Sequence, residues 1–168
     1  MTKSPIVVAL GDIQNSIMAR LREDGVRRIG RTYNRVTEND LVHVIGPQSG
    51  SHLIGHPPLP NVPDDHYGMF AVYLGVFLRC VSEIERLRPK ARAVQEYNCE
   101  IRWRLRSPEG PDEETWWDAR APTEKTASSL ERPLLDEGAP HLADYGSYAD
   151  VLEQFSRHGV LPRSERGT

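Results

Sequence analysis

"YGMFAVYLGVFLRC", Tyr67–Cys80, puts Phe70, Val72, Leu74, Val76 and Leu78 on one side of an extended chain and Ala71, Tyr73 and Phe77 on the other. Successive side chains of a strand point to opposite faces, so a strand that is apolar on both must be covered on both. This stretch therefore predicts a central strand, and its neighbours have to be found on either side of it. Downstream, "NCEIRWRLRS", Asn98–Ser107, has the cleanest alternation in the chain, with Cys99, Ile101, Trp103 and Leu105 on one face and Arg102, Arg104 and Arg106 on the other. Upstream, Tyr33 and Val36 precede a polar Glu38-Asn39-Asp40 turn, and Leu41, Val42, Val44 and Ile45 follow it. That pattern predicts a β-hairpin.

Helices flank these four expected strands. Ser4-Pro5 is a helix start, because serine can cap free amides and proline tolerates the first helical position. From there Ile6, Leu10, Ile13, Ile17 and Leu21 recur at spacings of four and three, and Gly25 supplies a stop. After the acidic turn "SPEGPDEE", a helical segment from Thr123 to Glu137 carries Ala127, Leu130, Leu134 and Leu135, with Pro133 expected to kink or split it and Gly138 and Pro140 to end it. Ser147 is placed to cap a last short helix carrying Tyr148, Val151, Leu152 and Phe155. Strands and helices are thus segregated, which predicts an α+β fold: an N-terminal helix, a four-stranded, mainly antiparallel sheet with helices on one face, and C-terminal helices. Residues 1–160 read as one domain and 161–168 as a flexible tail.

The bulk numbers agree with one core. The chain has 168 residues, 38% hydrophobic and 27% charged, within the ordinary range for a globular domain. A formal net charge of -3 argues against a dedicated polyanion binder, so nucleic acid is an unfavoured partner. Basic and acidic residues balance at 7 and 7 over residues 1–78, stand at 8 against 4 over 79–106, and at 6 against 13 over 107–168. The N-terminal apolar run, Ile6–Leu10, is too short for a signal-peptide core or a membrane span, so a cytoplasmic protein is expected. Cys80 and Cys99 lack metal-ligand spacing and read as reduced thiols.

The blocks "GRTYNRVTENDLVHVI", "YGMFAVYLGVF", "CEIRWRL", "WWD" and "LLDEGAPHLADYGSYADVL" together resemble an uncharacterised bacterial family, domain-of-unknown-function four-three-zero-four. The resemblance runs from the first helix to about Phe155 and lies in the order of the blocks. It implies an intracellular bacterial protein with an α+β domain, and it implies no catalytic residues, since the family has no established activity. The chain departs from the family pattern in a longer Gly46–Asp65 segment, "GPQSGSHLIGHPPLPNVPDD". A Gly/Pro-rich stretch of that length inside a compact domain predicts a loop that is functional or mobile.

Three sets of residues could carry chemistry. Arg102, Arg104 and Arg106, about 6–7 Å apart along one strand face, could meet successive carboxylates or phosphates, with Arg31 and Arg35 joining if their strand pairs nearby. Alternatively the row is a wet sheet face neutralised by Glu100 and cross-strand partners. Trp103, Trp116, Trp117 and Asp118 could line a pocket between sheet and helices, although adjacent tryptophans in extended backbone face opposite ways, so at least one of Trp116 and Trp117 plugs the core. His52, His56, Asp64, Asp65 and His66 offer metal-ligand chemistry without a rigid scaffold, and exposed loop residues are the simpler expectation. No GxSxG elbow, P-loop, HExxH or Rossmann glycine pattern is present, and no cofactor is implied. The leading expectation is a non-catalytic accessory or immunity-type protein that binds another bacterial protein through its sheet face and the 46–65 loop. A small enzyme or ligand binder around Trp103, Trp117 and Asp118, and a nucleic-acid binder through the arginine row, are the alternatives.

Overall fold

The structure is a computed structural model that describes residues 4–22, 25–50, 68–84, 93–106 and 115–158. In chain order it contains α1 (Pro5–Leu21), β1 (Arg27–Ile29), β2 (Thr32–Val36), β3 (Leu41–Ser49), β4 (Met69–Leu78), α2 (Arg79–Ile84), a 3₁₀ turn (Glu96–Asn98), β5 (Ile101–Arg104), β6 (Trp117–Asp118), α3 (Thr123–Pro133), a π-helical turn (Leu134–Gly138), α4 (Ala139–Ala143) and α5 (Tyr148–His158). The fold is α+β, with an antiparallel sheet of six strands in the order β1-β2-β3-β4-β5, and β6 also paired to β4. As its two apolar faces require, β4 lies inside the sheet, between β3 on one side and β5 with β6 on the other.

Two of the six strands were not expected from the sequence. β1 has only three residues, too few to show a period, and is recognised by its pairing from Arg27↔Asn34 to Ile29↔Thr32. β6 has two, Trp117 and Asp118, opposite Phe70 and Met69. β6 prolongs the line of β5: β5 pairs Ile101↔Val76 through Arg104↔Tyr73, Leu105 N–H donates to the Val72 carbonyl, and Ala119 N–H donates to the Gly68 carbonyl. β5 and β6 thus lie along one line on the same side of β4.

β3 also runs further than expected. Gly46, Pro47, Gln48 and Ser49 pair with Tyr73, Val72, Ala71 and Phe70 instead of starting a loop. The β2–β3 pairing extends only from Val36↔Val42 to Tyr33↔Ile45, so Pro47 lies beyond it and is laddered on one side alone. Proline is tolerated in such a place because its missing N–H leaves no central ladder incomplete.

One face of the sheet carries the helices. α1 buries Leu10, Ile13, Gln14, Ile17, Met18 and Leu21, and packs beside α3, which buries Thr126, Ala127, Leu130 and Pro133. Both join Tyr33, Leu41, Ile45, Phe70, Val72, Leu74, Val76, Leu78, Ile101, Leu105 and Trp117 in one core. Pro5 takes the first helical position as expected, but the Ser4 hydroxyl makes no capping bond. Pro133 does disturb its helix, but Gly138 and Pro140 do not end it: a π turn absorbs the defect and the chain continues into α4. Gly138 is in that turn because a side chain there would press on Leu74 and Leu105, about 3.0 and 3.1 Å from its Cβ, while Pro140 occupies the first turn of α4, where no N–H is needed. Ser147 caps α5, its Oγ accepting from Asp150 N–H at 3.2 Å and donating to Asp150 Oδ2 at 2.7 Å.

Residues 93–99 cross the other face. Asn34 pairs with Val94 as a strand would, giving its Nδ2–H to the Val94 carbonyl and accepting from Val94 N–H, both at 2.9 Å. Val94 and Cys99 then close over Val42, Val44 and Phe77. Burial pushes the Cys99 thiol well above its ordinary value, so it behaves as a small apolar group.

His43 ties the hairpin to the C-terminal helices. It projects to the helix side with Leu41 and Ile45, is 5% exposed, and its Nε2 lies 2.9 Å from the Tyr145 carbonyl, which accepts its proton. Burial lowers the imidazole below its ordinary value; the bond to Tyr145 opposes this and Arg35 adds to it. The unfolded state therefore binds the proton first, so this contribution is whole above pH of about 6.5 and is lost as pH falls towards the depressed folded value. The thermal midpoint should drop between pH 7.5 and 5.5 in the native chain and drop less in His43→Gln. Equal drops in the two proteins would show that His43 is not the group responsible.

Candidate functional site

The register of β4 and β5 decides what surrounds the arginine row. Arg102 and Arg104 stand opposite Gly75 and Tyr73, on the face away from the helices. Gly75 presents no side chain, and the Arg102 guanidinium carbon lies 4.1 Å from the centre of the Tyr73 ring. Arg104 lies 5.9 Å from the same ring and 4.6 Å from Trp116, and its Nη2 donates to the Thr115 carbonyl at 2.8 Å. Cations and rings thus alternate across the face in the order Arg102, Tyr73, Arg104, Trp116. A guanidinium stacked on a ring keeps its N–H groups in the plane, directed sideways, where a carboxylate or phosphate can take two of them.

Glu96 closes one end of this array. It sits in the 3₁₀ turn, is 3% exposed, accepts from Gln48 Nε2, and reaches Arg102 Nη2 at 4.0 Å. The 3₁₀ turn is fixed by a reciprocal capping box between Gln95 and Asn98, and Gln95 accepts from the Thr32 hydroxyl at 2.6 Å. Gly46 makes room for the carboxylate: a Cβ there would overlap Glu96 Oε2 and lie 2.9 Å from its Cδ. At 4.0 Å Glu96 only partly offsets Arg102, whose side chain is 24% exposed and whose buried Nε has no hydrogen-bond partner.

The other residues singled out in the sequence are distributed differently. Arg106 is exposed at the end of the β5 line. Arg35 does not join the row, because its partner His43 faces the helices; it lines a cleft there with Leu21, Val26, Tyr33, His43, Ile45, Ala139 and Leu142. Glu100 accepts from Leu78 N–H at 2.7 Å, and the Glu96 carboxylate reaches Arg102 Nη2 at 4.0 Å.

The four residues expected around one pocket are split between the two faces. Trp117 is 4% exposed in the core, stacked on Phe70 with ring centres 6.1 Å apart. Trp103 lies on the same helix side, 4.4 Å from the His141 ring and 5.9 Å from Tyr145. Trp116 is on the opposite face with Arg104. Asp118 pairs with Arg120 at 2.9 Å, and the Arg120 hydrogen bonds hold its carboxyl below the ordinary range. The alternation of extended backbone makes this division unavoidable for consecutive residues.

His52, His56, Asp64, Asp65 and His66 lie outside the described residues, as does most of the 46–65 stretch. Among the described residues no cluster of His, Cys, Asp or Glu could hold a metal ion, and no helix is long and apolar enough to cross a membrane. Sequence reasoning missed Tyr73, Gln48 and Glu96. The period of β4 already puts Tyr73 opposite the core residues, but only the cross-strand register puts it beside the arginines. Searched against family models, curated proteins and solved structures, the chain matches none.

If Gly46 is what admits the Glu96 carboxylate, Gly46→Ala should cost about 1–3 kcal/mol in denaturant unfolding by displacing it. An alanine variant as stable as the native chain would mean that Glu96 sits elsewhere.

Proposed function

We propose that this chain is a non-catalytic binding protein, an accessory to another protein whose acidic groups it recognises through the face bearing Arg102, Arg104, Tyr73 and Trp116. The observation that carries the reading is the stacking of both guanidiniums on aromatic rings. An arginine held in one orientation loses little rotamer freedom when it binds, so its hydrogen bonds to a carboxylate are less opposed by entropy. A catalytic reading has less support, because the tryptophans and Asp118 do not converge.

A nucleic-acid reading gains one observation in its favour. Tyr73 and Trp116 share the arginine face, and single-stranded nucleic acid is bound by such mixtures of rings and cations. The net charge of -3 and the engagement of both rings with arginines favour the protein partner.

Poly-glutamate and a single-stranded oligonucleotide separate the two readings by fluorescence anisotropy. The protein should bind poly-glutamate more tightly than the oligonucleotide, and Arg102→Gln/Arg104→Gln should weaken poly-glutamate binding at least tenfold. Tighter, salt-sensitive binding to the oligonucleotide would favour the second reading, and poly-glutamate affinity unchanged by the double substitution would contradict the first.

A further inference from the structure

We propose that the cleft between the β2–β3 hairpin, the C-terminal end of α1 and α4 binds a short aliphatic carboxylate, its acid group on Arg35 and its tail among Leu21, Val26, Ile45 and Leu142. The site lies on the helix side of the sheet, away from Arg102, and is independent of the acidic-partner reading above. Its walls come from separate parts of the chain. Leu21 closes α1, Val26 follows the turn after it, Ile45 belongs to β3 and Leu142 to α4, and all four are buried. Ala139 is the smallest side chain of the lining. It stands where the π turn passes into α4, and a longer side chain there would reach into the cleft. An apolar concavity with a few polar groups at defined places is the usual form of a small-molecule site.

The polar members of the lining decide the charge of the ligand. The Tyr33 hydroxyl donates to the Gln14 carbonyl at 3.0 Å and His43 Nε2 to the Tyr145 carbonyl at 2.9 Å, so both are committed. Burial keeps His43 uncharged at neutral pH, against the bond to Tyr145 and with the help of Arg35 across the strand pair. Arg35 differs from both: it is the exposed member of the lining and makes no hydrogen bond or ion pair with another described residue. A guanidinium offers parallel N–H groups and one positive charge, and a carboxylate matches it in geometry and in charge. Phosphate, more highly charged and more strongly hydrated, is poorly served by a single cation beside apolar walls. Those walls ask for an aliphatic tail, each methylene taken from water being worth a factor of about three to four in affinity. The tail has to be short, because the residues that close the cleft belong to the packed core.

Butyrate is the probe, compared by NMR titration of the full chain with acetate, octanoate and the uncharged isostere butyramide. Butyrate should bind with a Kd on the order of 1 mM, about tenfold more tightly than acetate, and shift the methyl resonances of Val26, Ile45 and Leu142. Octanoate should bind no more tightly than butyrate, because its further methylenes stay in water. Butyramide should bind about tenfold more weakly than butyrate, for want of the charge-assisted bonds to Arg35. Arg35→Gln, a change at an exposed side chain, should bring butyrate down to the level of butyramide, and Ala139→Leu should remove the binding of both. Should Ala139→Leu not fold, the comparison of the two ligands in Arg35→Gln decides alone. Equal affinities for butyrate and butyramide in the native chain would overturn the proposal, as would butyrate binding unchanged by Arg35→Gln. Affinity that keeps rising to octanoate would mean unspecific adsorption and overturn it too. So would titration that leaves the three methyl resonances unmoved, or that shows no saturation by about 50 mM.

Discussion

A ten-residue strand that is apolar on both faces must be covered twice, and β4 sets the terms on which the rest of the chain does so. Phe70, Val72, Leu74, Val76 and Leu78 require a helix layer, which α1, α3 and the π turn supply. On the other side Val94 and Cys99 give Phe77 and Gly75 a thin cover. Each cover is held by different means. The helix side is closed by packing of large side chains, whereas the other side combines a small apolar cluster with amide bonds at Asn34, Thr32 and Gln48. Between Ala71 and Gly75 the Tyr73 ring is met by Arg102 and Arg104 of the neighbouring strand.

The arginine face follows from this constraint. Arg102 and Arg104 lie beside Tyr73, and their guanidiniums stand against its ring. A solvated face and a binding face are consequently not opposites here. The stacking that makes the arginines part of the structure also fixes the direction of their N–H groups, which is what recognition of a carboxylate requires. Glu96 partly offsets the charge of Arg102, which it reaches without making a close pair.

Much of the fold was legible in the sequence because its longer elements have strong periods. α1, the hairpin, β4 and β5 are each long enough for a repeat of 3.6 or 2 to register, and Ser147 marks the start of α5 as its chemistry predicts. β1 and β6 were not legible, because two or three residues carry no period and their assignment rests on partners distant in sequence. The length of β3 was hidden by Pro47, which is a breaker in a central ladder and harmless where β2 has ended. For the site, the parity of Arg102 and Arg104 could be read from β5 alone. The identity of their neighbours could not: Tyr73 reaches them through the β4–β5 register and Trp116 through the pairing of β6 with β4, and Arg35 was excluded by a pairing with His43 that no local pattern reveals.

The most direct test of the account is the coupling between Arg102 and Tyr73, since it depends on both the register and the stacking. A double-mutant cycle with Arg102→Met and Tyr73→Leu, read by denaturant unfolding, should give a coupling of about 0.5–2 kcal/mol, the range of a partly desolvated cation–π contact. Additive effects of the two substitutions would contradict it, because they would mean that the two side chains do not meet on this face of the sheet.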